Sequence, residues 1–119
     1  MGLPAWQLEL ARQDLVEMEE NQVKVLAIEH DVPNVSASEF KPYLREEAWQ
    51  VWELYLSGVL REIYFRQDKT DAVLILECAN MAEAQSVLNT LPLVQAGLIE
   101  FEVIPLAPYP GFARLFMDA

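Results

Sequence analysis

The sequence predicts an α+β domain in which strands and helices follow the order β-α-β-β-α-β. Three observations carry that expectation. "QVKVLAIEHD" (22–31) alternates β-branched and polar residues, "QDKTD" (67–71) separates two further strand-like runs, and two helical stretches each open on a capping signal. At 119 residues the chain fits one domain, 1–119. A chain of that size buries roughly two thirds of its unfolded surface, enough for a core without staples.

Taken in order, residues 4–20 carry Leu8, Ala11, Leu15 and Met18 at three- and four-residue spacings behind Pro4. That pattern predicts an extra amphipathic helix within an N-terminal extension, 1–21, that docks on its own domain or on a second subunit. Strand one follows, with Val23, Val25, Ala27 and Glu29 on one face and Leu26, Ile28 and His30 on the other. Ser36 and Glu39 form a capping box that opens helix one, which is expected to run to about Leu56 and to end at Gly58. Its apolar face is broad: Phe40, Leu44, Val51 and Tyr55 form a stripe, with Trp49, Trp52 and Leu56 beside it.

"VLREIYFR" (59–66) reads as strand two and "AVLILECA" (72–79) as strand three, whose nearly continuous apolar run suits a central position. Asn80 can cap helix two, "MAEAQSVLNTL", which Pro92 is expected to stop. Residues 98–106 give strand four, with Ile99, Phe101 and Val103 inward and Glu100 and Glu102 outward. In the C-terminal tail, 107–119, "YPGFARLFMDA" (109–119) is a candidate interaction or dimer-swapping segment, too apolar at Phe112, Leu115 and Phe116 to stay in water. Two right-handed crossovers place both helices on one face of a ferredoxin-like sheet, with strands one and three central. The other face is still lined by large apolar side chains, so it is expected to pack against a second copy, as a homodimer or a higher oligomer of dimers.

Eight basic against nineteen acidic residues give a formal charge of −11, which repels nucleic acid and anionic membrane surfaces. No long apolar run predicts a membrane span, and the first residues do not read as a secretory signal. The single cysteine, Cys78, suits a reducing, cytoplasmic setting. No phosphate loop, nucleophile motif or metal-ligand spacing is present, so neither a cofactor nor a metal is expected.

"GVLREIYFR" (58–66) and "DAVLILECANMAEAQSVLNTLPLVQAGLIEFEVIPL" (71–106) together resemble the muconolactone isomerase family. Its members have a Gly, an Arg-bearing strand, a hairpin, a strand-helix unit and a Leu-Pro-Leu before an acidic last strand. "LPLVQAGLIEFEVIPL" (91–106) is also similar to the YCII-like proteins. Both groups share a dimeric α/β barrel, which the resemblance implies here. It also implies an isomerase that moves a proton across a small unsaturated organic acid or lactone. That chemistry needs a base beside the acidic carbon and a cation or hydrogen-bond donor for the enolate.

The family's acidic pair falls at Glu46 and Glu47, its strand-two arginine at Arg61, and a further basic position at Arg66. Where the family has Trp-Arg-His this chain has Leu60-Arg61-Glu62, and Ala107-Pro108 stands where the family has His-Pro. These departures imply a changed substrate or a non-catalytic dimeric domain that binds a small molecule or protein partner. The candidate catalytic residues are His30, Glu47 and Arg61, with Tyr64 and Arg66 as substrate-binding candidates. Glu47 lies on the apolar stripe, so it is either a buried base or a charge at the stripe's margin. Arg61 either clamps a carboxylate or pairs with Glu29 or Glu77 on neighbouring strands.

Overall fold

The computed structural model describes residues 22–117. Strand β1, Val23–Asp31, is the hub of a four-stranded antiparallel sheet: it pairs with β3 (Ala72–Cys78) on one side and β4 (Ile99–Leu106) on the other. Strand β2, Leu60–Phe65, adds to β3, and the order across the sheet is β2-β3-β1-β4. Strands one and three are therefore central, as strand three's apolar run suggested. The arrangement is a ferredoxin-like kind of fold.

Helices α1 (Ala37–Phe40) and α2 (Leu44–Ser57) follow β1, while α3 (Met81–Leu88) and α4 (Pro92–Gln95) follow β3. Residues expected on one helix are thus divided in two. Pro42 lies in a short 3₁₀ turn, Lys41–Tyr43, that separates α1 from α2, because proline cannot supply the amide an uninterrupted α-helix needs. Pro92 acts in the opposite sense to the expectation: α3 has already ended at Leu88, and Pro92 opens α4 at a first-turn position where its missing N–H costs nothing. The capping residues behave as read. Glu39 Oε2 accepts the Ser36 backbone N–H at 2.8 Å, and Asn80 Oδ1 accepts that of Glu83 at 2.8 Å. Gly58 ends α2 at φ +86°, a left-handed geometry that favours glycine.

The core lies between the sheet and the helices. Val25 and Ala27 from β1 and Leu74, Leu76 and Cys78 from β3 meet Ala84 and Leu88 of α3, with Val51 and Leu54 of α2 packed against them. A second cluster at the other end of the sheet joins Leu93, Leu98 and Ile99 to Val35, Phe40 and Tyr43. Leu76 has no exposed surface, so Leu76→Ala is expected to cost about 2–5 kcal/mol, read as a fall in thermal midpoint. Ile99 is buried, and Phe101 and Val103 pack toward the same core, as the alternation predicted.

Strand β2 departs from simple alternation. Leu60 lies opposite Leu76, but Glu62 lies opposite Ile75, so a bulge at this point inserts one residue. Simple alternation would put Arg61 on one face with Ile63 and Phe65; the bulge separates them, so that Arg61 lies with Glu77 on the uncovered side, while Ile63 and Phe65 lie opposite Leu74 and Ala72 on the helix side. The uncovered face carries Leu26, Ile28, Val73, Ile75 and Ile104, all partly exposed. Among the described residues, no helix is long and apolar enough to cross a membrane. The expected helix over 4–20 lies outside the described residues.

Candidate functional site

The predicted catalytic residues are not brought together. His30 Nε2 lies 3.3 Å from Glu102 Oε2 on the uncovered face, where β1 and β4 run side by side. Arg61 Nε is 3.8 Å from Glu77 Oε2, near the opposite end of that face. Lys24 Nζ is also 3.8 Å from Glu77, so this carboxylate stands between two cations. Of the two pairings weighed for Arg61, Glu77 is therefore the one formed.

Glu47 belongs to the other layer. Its Oε1 accepts the Leu93 backbone N–H at 2.9 Å, supplying a partner for one of the free amides at the start of α4. Burial pushes the Glu47 carboxyl above its ordinary value, and the Leu93 hydrogen bond partly opposes that rise. Glu47 thus ties α2 to α4. Glu47→Gln keeps an oxygen for Leu93 and should leave stability nearly unchanged. Glu47→Ala should cost about 1–3 kcal/mol by orphaning the amide, measured by denaturant unfolding.

The two substrate-binding candidates are also engaged locally. Tyr64 donates its hydroxyl to Glu62 Oε1 at 2.8 Å, and that carboxylate raises the phenol's pKa. Arg66 Nε donates to Asp68 Oδ1 at 2.9 Å, and its Nη2 reaches the second oxygen of the same carboxylate. This bidentate pair holds the β2–β3 hairpin, which the Arg66 amide closes by donating to the Asp71 carbonyl at 3.0 Å.

Chemistry that could move a proton gathers elsewhere. Glu29, Asp31 and Asp71 each present a carboxylate oxygen within 4.8 Å of the others. Glu29 continues the inward face of β1 past Val25 and Ala27, opposite Phe101 of β4. Asp31 is the next residue of that parity, and Asp71 enters from the residue before β3. Asp71 is only 3% exposed. Such a carboxylate needs compensation, and the Lys69 ammonium stands 3.0 Å from its Oδ2. That contact is poorly aligned: the oxygen accepts no well-directed hydrogen bond.

Lys69 nevertheless holds the Asp71 carboxyl below its ordinary range. Glu29 moves the other way. Burial pushes it up first, the Ala72 backbone hydrogen bond opposes, and the Asp71 and Asp31 charges add to the rise, giving a pKa of about 7. Neighbouring carboxyls whose proton affinities are driven apart form an acid and a base at neutral pH. The same three oxygens are close enough for a hard divalent cation, but the Lys69 ammonium already occupies the Asp71 side.

Sequence reasoning placed Glu29 on one face of strand one with Val23, Val25 and Ala27, and weighed it only as a pairing partner for Arg61. A charged side chain continuing an apolar inward row, followed by an acid two residues later, was the available signal. Asp71 joins them only through the β1–β3 register, which no spacing in the sequence reveals.

Fold and site together define a small antiparallel α+β protein with a carboxyl cluster at one end of its sheet. No protein-family model matches the chain, and no curated protein is significantly similar to it.

Proposed function

We propose that this is a muconolactone isomerase-like cytoplasmic protein, a proton-transfer isomerase acting on a small unsaturated organic acid or lactone, with Glu29 as the group that carries the proton. The observation that supports it is the half-buried Glu29 carboxyl, set beside Asp31 and Asp71 and poised to gain or lose a proton near neutrality. Lys69 is the cation adjoining that cluster. It takes the anion-holding role that Arg61, bound to Glu77, is badly placed to fill. The protein works as a dimer joined through the uncovered sheet face, in the manner of a dimeric α/β barrel. An apolar centre there, Leu26 with Ile75 and Ile104, lies between the His30–Glu102 pair and the Lys24, Arg61 and Glu77 group.

The test follows lactone isomerisation in wild type, Glu29→Gln and Glu47→Gln. Turnover lost with Glu29→Gln and kept with Glu47→Gln supports the reading. Wild-type turnover no faster than background removes the substrate assignment. A second reading has its own support: His30, Glu47, Arg61, Tyr64 and Arg66 are each separately paired, as expected of a non-catalytic dimeric domain. Saturable binding of a lactone without turnover would favour it.

A further inference from the structure

Helix α2 buries only part of its apolar surface. Val51 and Leu54 pack into the main cluster, and on the flank toward α3 Gln50 Nε2 donates to Thr90 at 2.9 Å. The opposite flank meets β2, the edge strand, and is apolar and open. Trp52 and Tyr55 stack there with ring centroids 5.9 Å apart, and Trp49 is 65% exposed. Ile63 and Phe65 project from β2 on the helix side and are exposed as well. Flank and strand edge form an apolar groove.

The tail after β4 carries a shape that suits it. Its backbone closes a 3₁₀ turn, Gly111–Leu115, which sets Phe112 and Leu115 on one side. Tyr109 packs edge-on against Phe112, with ring centroids 5.1 Å apart. The Tyr109 ring fills the space where a side chain on residue 111 would begin, so the turn requires glycine there. A turn already ordered in this way loses little further freedom on binding. Yet Tyr109, Phe112, Leu115, Phe116 and Met117 are all exposed, Phe116 at 87%. An apolar cluster held in water marks a contact surface.

We propose that the groove receives this tail from a second copy of the chain, and that two copies exchange tails reciprocally. The exchange rests on the two-fold dimer proposed above and not on the isomerase reaction. In its own chain the tail starts beyond β4, and α3 and α2 both stand between that edge and the groove. When uncovered faces pack about a two-fold axis parallel to the strands, the partner's β4 falls behind β2. Leu106 lies opposite Lys24, Lys24 opposite Glu77, and Leu60 opposite Leu76, so the tail leaves at the end of the sheet where α2 finishes. From the partner's β4 to α2 is two layer spacings, roughly 20 Å. The chain from Leu106 to Tyr109 covers about 10 Å of that, and the turn with its side chains is itself roughly 10 Å across.

Charge and area agree with this occupant. At a formal charge of −11 two copies repel over most of their surfaces, but residues 107–117 carry Arg114 and no acid. Glu53 is exposed beside Trp49 and Leu56, while Arg45 lies two turns further off at the start of α2. Trp49, Trp52, Tyr55, Leu56 and Phe65 are each at least half exposed, as are the five apolar tail residues. Each set therefore offers roughly 700 Å². Two exchanges that cover half of it bury about 1,400 Å², the size of a stable interface.

The experiment uses the full chain with Phe116 replaced by the photoreactive p-benzoylphenylalanine, in an equal mixture of unlabelled and ¹⁵N-labelled protein. Irradiation should join the tail to tryptic peptides 46–61 or 62–66, in products that carry both isotopes. Products of a single isotope would mean that the tail folds onto its own chain, and would overturn the exchange. Products elsewhere, or none, would also overturn it, and sedimentation of the wild type then separates two failures: a dimer leaves the sheet-face contact standing, and a monomer removes both. As an independent readout, Phe112→Asp with Leu115→Asp in a Trp6→Phe background should shift Trp49 and Trp52 emission to the red and speed its quenching by acrylamide. Unchanged emission and quenching would equally overturn the exchange.

Discussion

Replacing Glu29 with Gln should lower any isomerase turnover by about 10²–10⁴-fold, the usual contribution of a positioned acid or base. It should also stabilise the protein under mildly alkaline conditions. The folded pKa is about 7 against an ordinary value of 4.5, so the fold favours the protonated carboxyl. That favourable term is complete below the unfolded pKa and disappears as pH rises through the folded one. Above neutrality Glu29 is an ionised, half-buried carboxylate beside Asp71 and Asp31, and a neutral Gln removes first the cost of burying that charge and then the repulsion. A shift of this size sets a ceiling of about 3 kcal/mol, and partial exposure screens it to about 1 kcal/mol. Thermal melts should show Glu29→Gln higher by about 5 °C at alkaline pH and nearly level with wild type in acid. An equal gain at both ends of the pH range would mean that Gln acts by packing instead. Activity and stability moving in opposite directions is the pattern expected of a functional site held at a cost to the fold.

Ile75→Arg should separate the proposed dimer. Ile75 lies opposite Leu26 of β1 and Glu62 of β2, at the middle of the uncovered face. Across a two-fold interface every substitution occurs twice, so two guanidinium groups would enter an apolar centre. Glu62 beside each offsets only part of the cost of stripping water from a buried ion, which is several kcal/mol, and each 1.4 kcal/mol weakens association tenfold. Dimer affinity should fall by about 100-fold or more. The helix-side core does not include Ile75, so far-ultraviolet circular dichroism should stay native. Sedimentation showing a wild-type dimer and an Ile75→Arg monomer supports the interface. A dimer unaffected by the change would place the contact elsewhere, and a monomeric wild type would remove it.

Much of the fold was legible because local rules agreed with one another. Alternation placed β1 and β4, the continuous apolar run centred β3, and Asn80, Glu39 and Gly58 marked helix ends that the structure keeps. The two prolines were harder to read. A proline can end a helix or begin one, and whether preceding residues have already left the helix decides which. Pro92 follows Leu88 by four residues, which leaves room for a new start.

The site was much less legible, for physical reasons. One inserted residue in β2 sent Arg61 to the uncovered face, and nothing in "VLREIYFR" announces a bulge. Glu47 was read on the apolar stripe as a buried base or a charge at its margin; its carboxylate is half-buried, and its partner is a backbone amide 46 residues away. The Glu29, Asp31 and Asp71 cluster depends on strand register, a property of pairing and not of either strand alone.

The proposed proton-carrying role of Glu29 can be examined without knowing the substrate. Carbon-detected NMR of the full-length protein can follow the Glu29 carboxyl carbon through a pH titration, assigned by its loss in Glu29→Gln. The geometry predicts a midpoint of about 7, held up chiefly by burial and lowered only in part when Asp71→Asn removes the neighbouring charge. A Glu29 midpoint near 4.5 in the wild-type protein would contradict it, and with it the assignment of Glu29 as the group that moves the proton.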